Sequence, residues 1–380
     1  MQPIYLDHAA TTPLHPDVIK KMHSTMETVF GNPSSIHAYG RKARQILDEA
    51  RGTVAKSIHA SEKDIYFTSG GTEADNLALI GTALANKDKG NHIITTKQEH
   101  HAVLHAVEFL EQNGFNVTYL PVDEFGGVSV EEVKQSLTDE TILVSVMYVN
   151  NETGMIQPIA EIGELLKDHQ AYFHTDAVQA YGIIDINVHD MNIDLLTTSA
   201  HKINGPKGIG FLYADEKVQM SPLAFGGEQE RKRRPGTENI VNVAGFQKAV
   251  ELMLESKKTR QSVYEDYRNL FLDTLKEEGV SFSINGDLSQ SVPNIVNLSF
   301  PGTQVESFLT NLDLEGIAAS SGSACTAGTV DPSHVLVAMY SQNDPRTNNS
   351  IRFSFGIENN QENIKEAARR IALIVERLIK

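Results

Sequence analysis

Between residues 65 and 174, short apolar runs alternate with amphipathic stretches of helix length, and this alternation restricts the fold more than any single motif does. The runs at 65–67, 93–95, 117–120, 142–149 and 171–174 read as strands, the fourth as a fully buried one. Helical patterns over about 73–86, 102–112 and 159–167 separate them. Buried strands spaced by helices of this length are crossover units feeding a mostly parallel sheet, so an α/β fold is expected. Upstream, a helical pattern covers 36–58, with Ser35 as its candidate N-cap. Downstream, a polar helical stretch from about 238 to 276 leads out of the large domain. Strand-like runs at 295–300 and 351–355 and a closing helix from about 361 suit a small α+β domain. The division expected is 16–260 for the large domain, and 1–15 with 261–380 for the small one.

Charge and composition remove several function classes. With 40% hydrophobic and 22% charged residues, the chain has the make-up of an ordinary soluble globular protein. A formal net charge of −16 argues against direct nucleic-acid binding, which needs a basic face. No apolar run reaches the length of a membrane span, and Met1-Gln2-Pro3-Ile4-Tyr5-Leu6-Asp7-His8 lacks the basic and apolar regions of a secretory signal. Cys325 is the one cysteine, which rules out an internal disulfide; a cytoplasmic protein is expected.

Polar groups gather where the strands end. Lys202, in Ser199-Ala200-His201-Lys202-Ile203-Asn204-Gly205, lies between an apolar run at 194–198 and a strand-like run at 209–213. A lysine there reads either as a surface turn residue or as a desolvated amine able to form a Schiff base with an aldehyde. Thr68-Ser69-Gly70-Gly71-Thr72-Glu73 joins a strand to a helix, where glycines and the helix N-terminus favour a phosphate; the Gly-Lys-Ser/Thr ending of a nucleotide-binding loop is missing. In Gln98-Glu99-His100-His101, His100 can cap a helix or lie over an aromatic ring and pass protons. His101 and His105 lack a third ligand, so no metal is expected. In His174-Thr175-Asp176-Ala177-Val178-Gln179, Asp176 can cap a helix or hold a heteroaromatic nitrogen protonated, which turns that ring into an electron sink. Asn150-Asn151-Glu152 adds amide donors, at the strand ends where open α/β sheets bind ligands.

With these stretches in hand, the chain resembles the NifS/IscS-type cysteine desulfurases along almost its whole length, within the fold-type I, aspartate-aminotransferase-like pyridoxal phosphate enzymes. Tyr5-Leu6-Asp7-His8-Ala9-Ala10-Thr11-Thr12, Gly31-Asn32-Pro33-Ser34-Ser35, Arg234-Pro235-Gly236-Thr237 and Ser321-Gly322-Ser323-Ala324-Cys325 complete the matching set. The resemblance implies that Lys202 carries the cofactor, Asp176 pairs with its ring nitrogen and His100 stacks on the ring. It further implies that Gln179 and Asn151 contact the ring hydroxyl, and that Gly71, Thr72, Ser199 and His201 bind the phosphate. Thr237 would reach the phosphate of a partner subunit, which implies a homodimer.

The small, glycine-bearing loop at about 319–330 carries Cys325, and a lone cysteine in a flexible loop is either inert or a nucleophile. The resemblance assigns it the sulfur of substrate L-cysteine, held as a persulfide while L-alanine leaves, with Lys202 as base and His100 serving the sulfur. Arg352 would clamp the substrate carboxylate, and Asn151 would face the substrate. No second cysteine is present, so the sulfur must pass to another protein, an iron–sulfur scaffold or a tRNA thiolation enzyme. A selenocysteine lyase or other β-eliminating enzyme is the rival among catalysts; a non-catalytic sulfur-carrier subunit is the rival outside them. The basic run Arg231-Lys232-Arg233-Arg234 reads as a solvated loop or as a docking patch.

Overall fold

The computed structural model describes residues 2–322 and 331–380. Cys325 therefore lies outside the described residues, as does most of the loop expected around it. Among the described residues, seven strands form one sheet in the order Ile65–Thr68, Gly210–Ala214, Leu195–Ser199, Tyr172–Asp176, Thr141–Ser145, His92–Thr96, Asn116–Leu120. The last five pair in parallel, while Gly210–Ala214 runs antiparallel to both of its neighbours. The mostly parallel α/β sheet is the one the alternation predicts. Its middle strands are buried at every position because helices cover both faces, which is why they read as runs without a period of two.

A three-stranded antiparallel sheet, Ser283–Asn285, Ile295–Ser299 and Ser350–Ser354, forms in the C-terminal part of the chain. The N-terminal strand Ile4–Tyr5 pairs in parallel with Ile317–Ala318, and Ser354 donates its N–H to the carbonyl of Leu6 at 2.7 Å. The helix Ile240–Glu277 runs unbroken for 38 residues and packs on Pro16–Thr28, Ala38–Ser57 and Gln361–Ile379.

Two local expectations fail. The helix Ala38–Ser57 is capped by His37, whose Nδ1 accepts the Gly40 N–H at 3.2 Å; Ser35 instead closes a turn on the carbonyl of Asn32. The strand expected over 142–149 ends as a regular strand at Ser145, although Val146 and Tyr148 still donate to the His174 and Asp176 carbonyls along one edge. Beyond it the N–H of Met147 is taken by a carboxylate oxygen of Glu99 at 2.9 Å, so no strand ladder forms on that side. Past Ser145 the stretch is therefore laddered on one edge only, and its burial makes it read as a full strand.

The basic run is bound into the fold. Glu230, Arg231 and Lys232 all have positive φ, at 43°, 53° and 67°, a region that disfavours residues bearing a Cβ. Buried Arg51 holds this turn by a two-point ion pair to Glu230 (2.7 and 2.8 Å), while Glu230 also accepts the Phe67 N–H. Arg231 donates to the carbonyls of Ile65 and Glu62, and Arg234 to Glu73. Lys232 stays exposed, paired with Glu228 at the surface, so the run is partly a solvated loop and partly anchored by Arg231 and Arg234. Arg51→Ala leaves the Glu230 carboxylate buried and unpaired, so it should lower unfolding free energy by about 3–5 kcal/mol, read from urea midpoints. A loss below about 1 kcal/mol, the value of a surface pair, would show that this contact does not hold the turn.

Candidate active site

The carboxyl ends of the parallel strands open into a cavity of about 340 Å³. Strand-to-helix turns aim the polar groups of successive strands into it, as the topology of an open α/β sheet requires. Lys202 follows the strand Leu195–Ser199 on a single tight turn, Ala200–Lys202. Its Nζ donates to the carbonyls of Ala9 and Ala10, the latter at 2.8 Å. Burial, aided by the nearby Arg352 guanidinium, lowers this amine to about 7, so an appreciable fraction is free base at neutral pH.

Asp176 ends the strand Tyr172–Asp176, with its Oδ1 accepting the Val178 N–H at 2.9 Å. Burial raises this carboxyl, while His100, the Val178 N–H and Lys202 work the other way. His100 does both things the sequence leaves open: it caps the helix His101–Gln112, its Nδ1 accepting from Ala102 N at 3.1 Å, and its ring faces the cavity. That contact leaves Nε2 to carry or take the mobile proton. Burial lowers His100 as well, keeping the ring available as a neutral base.

At the far end, a connected recess of about 360 Å³ includes Gly70, Gly71, Thr72, Ser199 and His201. Gly70 has φ 150°, which residues with side chains rarely adopt, and the helical run starting at Gly71 puts its first turn, with N–H groups that have no partner within the helix, along the recess. A Cβ on Gly71 would stand 3.0 Å from Val178 Cγ2, so the turn lies close against the loop that follows the strand Tyr172–Asp176. His201 is pushed down to about 4 mainly by burial, and acts there as a neutral hydrogen-bonding ring with Nδ1 3.1 Å from Thr11 Oγ1.

Gln179 lines the cavity with its amide nitrogen committed to the carbonyl of Ala9 at 2.9 Å. Asn151 lines it too, while its carbonyl accepts from Arg352 at 2.8 Å. Arg352 is buried, pairs with Asp7 at 2.8 Å, and keeps an Nε–H without a partner. Every site residue expected from the sequence thus meets in this one cavity except Thr237 and Cys325. Thr237 is exposed and lines neither recess, and Cys325 lies outside the described residues.

Six lining residues fall outside the expected set, and three of them bring polar groups to the site. Ala9 and Ala10 supply the carbonyls that hold Lys202, and nothing in their residue type signals it. Asp75 did leave a signal: it is a carboxylate on the buried helical face that carries Ala78 and Leu79. The donor set suits a phosphorylated pyridine aldehyde, with a low-pKa amine, a strand-end carboxylate, an imidazole and a glycine turn at a helix N-terminus.

The family model for class-V aminotransferases matches residues 4–366. A Bacillus subtilis (strain 168) protein named "Putative cysteine desulfurase IscS 1" is 57% identical over 378 residues, covering 100% of each chain. A Clostridium botulinum (strain Hall) protein named cysteine desulfurase IscS is 49% identical over 363 residues, or 95% of this chain and 91% of its own. Among solved structures, one described as a NifS-like protein superposes with a TM-score of 0.93 at 33% identity, covering 99% of this chain and 100% of that one.

Proposed function

The chain belongs to the class-V aminotransferase family, and from that premise we propose that it is a pyridoxal phosphate-dependent cysteine desulfurase. The observation that carries the reading is an amine lowered to about 7 in the same cavity as Asp176 and His100. Bound there, pyridoxal phosphate supplies an electron sink for a carbanion at the substrate α-carbon. Lys202 is the attachment point and then the base that takes the α-proton. Asp176 holds the ring nitrogen, and His100 covers the ring and carries a proton at the substrate sulfur. Gln179 and Asn151 face the ring hydroxyl. Gly71, Thr72, Ser199 and His201 hold the phosphate.

Arg352 receives the substrate carboxylate through donors that Asp7 and Asn151 leave over. The Cys325 thiolate attacks the substrate sulfur. The carbon–sulfur bond breaks, its electron pair stays with carbon, and protonation there gives L-alanine while the sulfur remains on Cys325 as a persulfide. That sulfur is then passed to an acceptor protein, an iron–sulfur scaffold or a tRNA thiolation enzyme.

The working unit in this reading is a cytoplasmic homodimer, with Thr237 completing the partner's phosphate site. The division into 16–260 and 1–15 with 261–380 is supported by the pairing of Ile4–Tyr5 with Ile317–Ala318. No described helix is long and apolar enough to cross a membrane.

Protein loaded with pyridoxal phosphate and given one equivalent of L-cysteine should yield one alanine and a mass gain of one sulfur atom at Cys325. Alanine without sulfur on the protein, or pyruvate and free sulfide in its place, would reject the desulfurase reading in favour of a β-eliminating enzyme.

A further inference from the structure

Asp75 is a second carboxyl beneath the cavity, and the reaction above leaves it without a task. It lies one turn into the helical run that begins at Gly71 and is 1% exposed. Its Oδ1 accepts no hydrogen bond, and the nearest basic atom is His174 Nε2 at 3.5 Å. That ring brings no charge. Its nitrogens meet Ser145 Oγ at 2.8 Å and Thr197 Oγ1 at 3.1 Å, and burial lowers it to about 3. Asp75, His100 and Asp176 each place a polar atom within 4.8 Å of the others. Glu99, the remaining acid facing them, is pushed up to about 8, chiefly by burial.

Two sealed carboxyls so close together hold one charge between them, because a second would face its neighbour across a medium that screens poorly. The geometry decides which one holds it. Asp176 has the Val178 N–H and faces His100 and Lys202; Asp75 has a single hydrogen bond, to the Thr197 side chain, with no basic group drawing it down, and is raised well above the ordinary aspartate value, by burial first and by Asp176 second.

We propose that Asp75 is a positioning residue, a protonated carboxyl whose neutrality keeps a single negative charge at Asp176 for the cofactor's ring nitrogen. This rests on the assignment of Asp176 above. When Asp75 loses its proton, a second negative charge arises in the site and holds the protons of the bound cofactor more tightly.

The test uses the loaded enzyme grown on isotope-labelled aspartate, which keeps Glu99 out of the infrared difference spectrum. The parent should show a protonated-carboxyl stretch at neutral pH that Asp75→Asn removes. In the same variant the alkaline transition of the cofactor's visible absorption should move to lower pH, since no second charge develops; a purely structural role would leave it in place. Absence of the stretch in the parent overturns the proposal without any variant, and so does survival of either signal unchanged in Asp75→Asn. Asp176→Asn separates the layers. If it keeps the parent's absorption and turnover, the assignment of Asp176 fails and takes the role of Asp75 with it. If it loses both while Asp75→Asn changes nothing, the proposal for Asp75 fails alone.

Discussion

Alanine at position 202 should give a folded protein that takes up pyridoxal phosphate without a covalent bond and forms alanine from cysteine about 10⁴-fold more slowly. One side chain holds two tasks here, attachment and proton abstraction, and no described neighbour can assume both: His100 can take a proton but has no amine to attach the cofactor. His201 is neutral and turned to Thr11, and the carbonyls of Ala9 and Ala10 that now hold Nζ cannot act as bases. Borohydride reduction followed by mass spectrometry should fix the cofactor on the parent and leave Lys202→Ala unmodified. Covalent capture elsewhere in the variant would remove Lys202 from the mechanism.

The lowered amine adds a pH signature. Below about 7 the amine is an ammonium and cannot attack the aldehyde, so loading of cofactor-free protein should speed up through that value and level off above it. The sign for stability follows. The unfolded amine binds its proton up to about 10.5 and the folded one only up to about 7, so between these values the unfolded state holds more protons and stability rises with pH. A loading rate that is flat across neutral pH would mean that the amine is not desolvated.

How much of this was legible without coordinates differs by element. The sheet was legible because helices bury both faces of its middle strands, and burial on two sides leaves an unmistakable apolar run in segments such as Tyr172–Asp176. The same signal overran at 146–149, where the backbone keeps its bonds to His174 and Asp176 on one edge but gives the Met147 N–H to the Glu99 carboxylate on the other. His37 was passed over as a cap because histidine is an uncommon one; only the orientation of its ring nitrogen makes it serve. At the site, residues carrying a reactive group at a strand end could be read directly, as with Lys202, Asp176 and His100. Groups that act through the backbone, such as Ala9 and Ala10, could not, because a carbonyl is present at every position and only the fold selects which one is used. At the Arg231–Arg234 run, charge and the following proline were enough to suggest a solvated loop or a docking patch, but not that Arg231 and Arg234 turn back onto Ile65 and Glu73 while Lys232 stays exposed.

Arg352→Lys should lower kcat/KM for cysteine by about one to two orders of magnitude, the worth of a charge-assisted two-point contact. A lysine keeps the positive charge beside Asp7 but lacks the planar fork needed to hold Asp7, the Asn151 carbonyl and a substrate carboxylate together. Most of the loss should fall on KM, because the carboxylate is gripped before and during the chemistry alike. Arg352→Leu asks a different question. It leaves Asp7 in a nearly sealed place with Ser320 Oγ as a remaining hydrogen-bond donor, so unfolding free energy should drop by about 3–5 kcal/mol. It also removes the positive neighbour that helps to lower Lys202, so the midpoint of cofactor loading should move to higher pH in the leucine variant and stay near the parent's in the lysine variant. Steady-state kinetics and loading curves on the two proteins therefore separate the two roles of this guanidinium. If Arg352→Lys keeps the parent's kcat/KM, the arginine does not receive the substrate carboxylate; if Arg352→Leu leaves the loading midpoint in place, its charge does not reach the amine.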